Sequence, residues 1–301
     1  MQIRYVLYVF LSALTGAGGV ILTEILLRFW TAPALHIAIP ASLIGGCFLL
    51  LGAALQRTCG WIDWPATDWL RLLAAAGATF ALGFLLLYEA IDLIGASKTL
   101  LLSRLEVIFI VSLAVVFLGE TWTRRHWFAC VLALCGTVLV TFDPDALDLR
   151  FALGEMIAVL AALVFAVGII LLKSLVDHRD GQLVTGYGLL LGAIMLLPFA
   201  LYEGLSLQIL ADLSGWGLLA LLFRGLFLGI SWVTYNIAMK HLGASHCTVL
   251  FLSVVVFTVV LQVSIDGAFP ELGLRVPANL FASLVGGGII CVAVILLQRQ
   301  E

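Results

Sequence analysis

The sequence predicts an all-α integral membrane protein with ten transmembrane helices arranged as two inverted five-helix repeats. Three observations predict it. Of 301 residues, 63% are apolar and 11% charged, against roughly 25% charged in an ordinary soluble domain. Ten apolar segments approach the ~20 residues needed to cross the hydrocarbon. The second half of the chain also echoes the first at a nearly constant offset.

Composition comes first because it bounds the rest. A soluble chain this apolar would expose much of that surface to water, whereas lipid is an acceptable solvent for a helix exterior. The net charge of −3, with no basic stripe, argues against a nucleic-acid partner. The six cysteines (Cys47, Cys59, Cys130, Cys135, Cys247, Cys291) form no Cys-x-x-Cys pair and read as small apolar filler rather than as a metal or redox site. No Gly-x-x-x-x-Gly-Lys-Ser/Thr loop, His-Glu-x-x-His helix or Gly-x-Ser-x-Gly elbow occurs, so no cofactor, no metal and no catalytic residue are expected.

The expected spans are Tyr5–Leu27, Ala34–Leu55, Trp69–Leu93, Ala96–Leu118, Trp122–Thr141, Leu153–Leu175, Gln182–Tyr202, Trp216–Met239, Ala244–Ile265 and Val276–Leu297. The first is too long for the roughly 7–15-residue core of a signal peptide and is followed by no Ala-x-Ala site, so it reads as a retained span. Short connections carry turn chemistry at Thr31-Ala32-Pro33, Asp63-Trp64-Pro65, Asp143-Pro144-Asp145 and Phe269-Pro270. Tryptophans cluster at span ends, as at an interfacial belt. With the amino terminus in the cytoplasm, nine Lys/Arg fall inside (Arg4 to Arg299) and four outside (Arg28, Lys98, Arg150, Arg275). That bias predicts both termini cytoplasmic in an inner (plasma) membrane.

The repeat is legible twice. Leu11, Ala13, Leu14, Ala17, Gly19, Ile21 and Leu22 find identical partners 149 residues on, and Gly95-Ala96-Ser97 recurs as Gly243-Ala244-Ser245 at an offset of 148. Residues 1–150 and 151–301 are thus expected to be repeats within one structural unit. Five spans is an odd number, so the second half enters the membrane inverted. Such a plan places a binding site near the midplane between the halves.

From Glu89 to Val140 the sequence resembles the drug/metabolite transporter superfamily, EamA type. Glu89-Ala90-Ile91-Asp92-Leu93-Ile94-Gly95-Ala96-Ser97 is similar to that family's join of spans three and four, and Phe117-Leu118-Gly119-Glu120 to its Gly-Glu ending of span four. Val107 stands where the family carries a Pro, which removes the usual cause of a kink in span four. Gly267-Ala268 replaces the second Gly-Glu. The resemblance implies a secondary transporter, not an enzyme, moving a small organic metabolite (amino-acid-like, amphiphilic or anionic) by alternating access. It implies export, proton-linked or facilitated, by a monomer or homodimer embedded in the lipid bilayer.

Ionisable groups in hydrocarbon are costly, roughly 2.5–3.5 kcal/mol at a helix centre, and therefore mark cavities or pairs. Arg104 and Glu106 in span four and Arg224 in span eight lie deepest. Arg104 and Arg224 are each eight residues into their spans, about 12 Å below the outer surface. They are expected to bind an anionic group, with Glu106 holding an amine or a coupling proton. The bland alternative is an ion pair bracing two helices. Arg104 and Glu106 stand about 200° apart on an uninterrupted helix, so they are not expected to pair with each other. Glu24, Glu89 and Asp92 form a candidate acidic vestibule or proton entry, solvated interfacial residues being the simpler expectation, as they are for Lys98 and His36. Tyr88, Trp232, Tyr235 and Asn236 are candidate substrate-binding groups, although rings also fill cores. Thr15, Gly16, Gly18, Gly19 and Gly168 are expected at close helix contacts. The rival function is a membrane enzyme or lipid-handling protein using Arg104 and Arg224 on a phosphate head group. A receptor or assembly subunit ranks behind both, since neither needs buried charge in both halves.

Overall fold

A computed structural model describes residues 2–30, 34–56, 64–94, 99, 102–141, 153–202, 204, 214–272, 274 and 280–298. Among these the regular structure is all helical, in ten spans. Span one is Gln2–Trp30, span two Ala34–Leu55, span five Arg124–Thr141, span six Leu153–Val176, span seven Gly181–Tyr202, span eight Gly215–Leu242 and span ten Leu280–Gln298. Span three runs through Ala66–Ala76, a π-helical turn Gly77–Leu82 and Gly83–Ile94; span four ends in Glu106–Phe117; span nine is Ala244–Phe251 followed by Ser253–Ala268. Seven spans are long and apolar enough to cross a bilayer alone, and spans four, five and ten contribute shorter apolar helices. An even number of crossings puts Gln2 and Gln298 on one face, the terminal face; the other is the distal face.

Helix neighbours come in exchanged pairs. Span one packs along span eight, and span six along span three. Span one touches span nine, as span six touches span four. Span two meets span eight, as span seven meets span three. Spans two and seven, four and nine, and five and ten pair with each other. Adding five to the span numbers of these pairs returns the same set, which is what two five-helix repeats related by a pseudo-two-fold axis require.

Packing is built from small residues. Val9, Ala13 and Ala17 on span one and Ala158, Ala162 and Ala166 on span six are fully buried, whereas Leu7, Leu11, Leu14, Leu160, Leu163 and Val167 on the same helices are exposed. Small side chains inside and large apolar ones outside is the arrangement lipid allows and water does not. Glycine makes the closest approaches. A Cβ on Gly45 of span two would stand 2.7 Å from the Gly225 carbonyl of span eight, and one on Gly225 would stand 2.6 Å from Ile44. The expected glycine contacts also occur here: Gly16 faces Ser231, Gly18 faces Phe227, Gly19 faces Arg224 and Gly168 faces Thr79. Thr15 instead bonds its own helix at the Leu11 and Ser12 carbonyls.

Spans four and nine are each broken midway. Leu105 donates to the Leu102 carbonyl at 3.0 Å and Leu252 to that of Val249 at 3.2 Å, both i to i−3. The helices resume at Glu106 and Ser253 after caps with φ/ψ of −60°/−19° and −57°/−19°. The break in span four therefore forms without the proline, by a tightened 3₁₀ turn. It also corrects a second expectation. Arg104 and Glu106 do face each other, Nη1 to Oε1 at 3.8 Å, because the 100° step per residue does not hold across the turn.

Candidate functional site between the repeats

Span eight carries Arg224 nine residues past Gly215, roughly 14 Å along the helix from its distal end. Its Nε donates to Thr23 Oγ1 of span one at 2.5 Å. Thr23 Oγ1 is itself fixed, donating to the Gly19 carbonyl at 2.9 Å. Gly19 leaves room for the guanidinium, since a Cβ there would come within 3.4 Å of Nη1. Among the described residues no carboxylate forms an ion pair with Arg224. Its charge is held by a hydroxyl in a bundle interior where a charged group ordinarily finds a counter-ion. Tyr88 of span three lies within electrostatic reach of the same guanidinium. Glu24, the neighbour of Thr23, accepts from Gln262 Nε2 of span nine at 3.1 Å. This end of the interface thus gathers a cation, an acid and a phenol from spans one, three, eight and nine.

An aromatic series leads inward. Tyr88 stacks on Phe84 at 6.0 Å between ring centroids, and Phe84 meets Phe165 of span six edge-on at 5.5 Å. One turn earlier on span three, Phe80 packs against Trp232 of span eight at 4.8 Å, and Trp232 lies 6.0 Å from Tyr235. Tyr235 reaches span nine through Phe251 at 5.5 Å and shares a hydrogen bond with Thr248 at 2.7 Å.

The candidate residues therefore fall in separate places. Arg224 is held by Thr23 beside Glu24, with Tyr88 in reach; Trp232 and Tyr235 lie farther along span eight, and Arg104 and Glu106 pair at the break of span four. Asn236 lies apart, fully buried and donating to Thr185 of span seven at 2.8 Å. Glu89 is exposed. Lys98 and the side chain of Asp92 lie outside the described residues. His36 corrects the expectation of solvation: it is 2% exposed, although it lies only two residues past the start of span two. Sequence reasoning passed over Thr23 and Gln262. A hydroxyl one turn after Gly19 and beside Glu24 was the available signal for the first; an isolated glutamine in an apolar span was the signal for the second.

Ten spans in two exchanged repeats, with charged and aromatic groups between them, are a recurring plan of membrane transporters. The chain belongs to the EamA-like transporter family, whose profile matches residues 3–142 and again 152–299. An uncharacterized transporter of Methanothermobacter thermautotrophicus is 26% identical over 187 residues, 61% of this chain and 54% of that protein. The match spans about half the length of that relative. A crystal structure at 19% identity superposes with a TM-score of 0.76 over 99% of this chain and 98% of the other. At that identity the likeness concerns the fold.

Proposed function

We propose that this transporter carries a small organic solute with an anionic group (amino-acid-like, amphiphilic or a simple organic anion) out of the cell by alternating access. It lies in the inner (plasma) membrane with the terminal face toward the cytoplasm, as the Lys/Arg bias favours. One observation carries the reading: Arg224 lies half-buried between the repeats, and no carboxylate among the described residues forms an ion pair with it. A substrate carboxylate supplies that charge, and the guanidinium edge left free by Thr23 can take it in a two-pronged hydrogen bond. The aromatic series from Tyr88 to Tyr235 then receives the apolar body of the solute. Its rocking elements are the broken spans four and nine, one from each repeat.

Thr23 holds the orientation of Arg224. Thr23→Val should weaken binding of the best carboxylate ligand about tenfold, corresponding to about 1.4 kcal/mol, and Thr23→Ser should restore it. Isothermal titration of the purified protein reads both. Equal affinity in Thr23→Val would show that the hydroxyl does not aim the cation.

Coupling falls to Glu106, which faces Arg104 at the break of span four. Protonation there would release Arg104 and favour one arrangement of the broken helix. In proteoliposomes, Glu106→Gln should abolish the dependence of transport on a pH gradient while leaving ligand binding within a few-fold of the parent. Unchanged pH dependence would remove Glu106 from the coupling step and favour facilitated transport.

A lipid-handling role places its cationic groups on a phosphate head group. Arg224 lies well inside span eight and Arg104 is neutralised by Glu106, so neither is offered at an interface.

A further inference from the structure

At the terminal face, two charged contacts tie one repeat to the other. The first is Glu120, which follows span four. Its carboxylate accepts from the amides of Ala244 at 2.6 Å and Ser245 at 3.1 Å, capping the start of span nine across 124–125 residues of sequence. Gly243 enters that cap with φ 88°, and a Cβ there would stand 2.8 Å from the carboxylate. An acid on the exposed amides of a helix N-terminus gains from both hydrogen bonds and dipole.

The second contact is Asp68 in the first turn of span three, 4% exposed. It receives Arg179, from the turn between spans six and seven, through Nε at 2.7 Å and Nη2 at 2.6 Å. His178 adds a contact at 3.6 Å. Trp64 lies under the Arg179 guanidinium at 5.4 Å, and Lys240 of span eight donates to the Arg179 carbonyl at 3.4 Å.

In the repeat register the residues of neither contact have charged equivalents. At 148 residues' separation Glu120 corresponds to Ala268, Asp68 to Trp216 and Arg179 to Thr31. A shift of one residue changes none of this: Phe269, Gly217 and Trp30 are equally uncharged. In a pseudo-symmetric carrier the two access states are exchanged copies of one packing. Contacts made by residues without charged equivalents therefore stabilise one of the two states more than an exactly symmetric packing would.

We infer that Glu120 and the Asp68–Arg179 pair form a double lock, which holds the terminal face closed and biases the carrier toward that state. The two contacts act on different spans, four with nine and three with the six–seven turn, yet hold one gate. Releasing either lowers the cost of opening that face, so each affects the exposure of groups beneath the other.

Cys247 is a built-in reporter. It lies in the first turn of span nine, 0% exposed, its amide bonded to the Gly243 carbonyl at 3.3 Å. The test uses full-length protein in lipid nanodiscs, with Cys47, Cys59, Cys130, Cys135 and Cys291 replaced by Ala. The rate at which a charged maleimide modifies Cys247 is then measured. The lock predicts slow modification in this parent and at least tenfold faster modification in Glu120→Gln. The decisive variants are Asp68→Asn and Arg179→Gln, which leave the span-nine cap intact and are also expected to speed the reaction at least tenfold. Melting temperature and monodispersity establish that each variant is folded, and removing Arg179, a partly exposed side chain, keeps the test available if Asp68→Asn is not. Parent-like protection of Cys247 in a folded Arg179→Gln or Asp68→Asn protein would overturn the double lock. So would parent-like protection in folded Glu120→Gln.

Discussion

Arg224→Ala is expected to reduce transport of the anionic substrate by about 100-fold or more, with the folded protein retained. A hydrogen bond to a charged group contributes about 1.5–3 kcal/mol, and two such bonds are lost with the guanidinium. The change also relieves the protein of a half-buried cation without a carboxylate partner among the described residues, so stability should hold or rise. Arg224→Lys is informative beside it. An ammonium keeps the charge but cannot give one edge to Thr23 and another to a carboxylate, so recovery should be partial. Full activity in Arg224→Lys would reduce the site to a point charge. Full activity in Arg224→Ala would make the arginine a structural element held by Thr23. Initial rates in proteoliposomes distinguish the three outcomes.

The largest effect on folding is expected at Gly45. Its neighbours are backbone atoms of Gly225 and Gly229, with distances from an added Cβ of 2.7 and 3.2 Å. A flexible side chain could move aside, but two helix backbones can only separate. Overpacking of this kind costs about 1–3 kcal/mol, occasionally more, and Gly45→Leu should exceed that range because spans two and eight would part along their length. The expected result is loss of monodisperse protein on extraction. Gly119→Ser, at a positive-φ residue with nothing within 4 Å of an added Cβ, should yield folded protein with at most modest destabilisation. A normally folded Gly45→Leu protein would mean that the crossing of spans two and eight is looser than described.

The ten spans were legible because membrane insertion is decided by local apolarity, which a sequence displays directly. Span four shows where that ends. Without a proline at position 107 the chain gives no local sign of a break, yet the helix tightens at Arg104–Leu105 as its counterpart does at Leu252. The rule separating Arg104 from Glu106 assumed a continuous helix and failed with it. Gly119-Glu120 and Gly243-Ala244-Ser245 were both visible as motifs, but their contact is not, since only tertiary folding joins residues 124 apart. The depth of Arg224 followed from counting residues, whereas its holder Thr23 lies 201 residues away on a helix with many similar small polar groups. Tyr88, Trp232 and Tyr235 stood out as amphipathic rings. What they needed from the structure was Phe80, Phe84 and Phe165, apolar residues that look like ordinary core until they are placed between them.

Ligand-induced stabilisation of the purified protein tests the central claim most directly, using amino acids, nucleosides, vitamins, organic anions and phospholipids on the parent, Arg224→Ala and Arg104→Ala. A ligand at 100 times its dissociation constant stabilises the folded state by about 2.7 kcal/mol, well within reach of a melting experiment. The account predicts a hit among soluble solutes bearing a carboxylate or similar anion, lost in Arg224→Ala and retained, though weakened, in Arg104→Ala. A soluble hit that survives Arg224→Ala unchanged, or stabilisation by phospholipids alone, would contradict it.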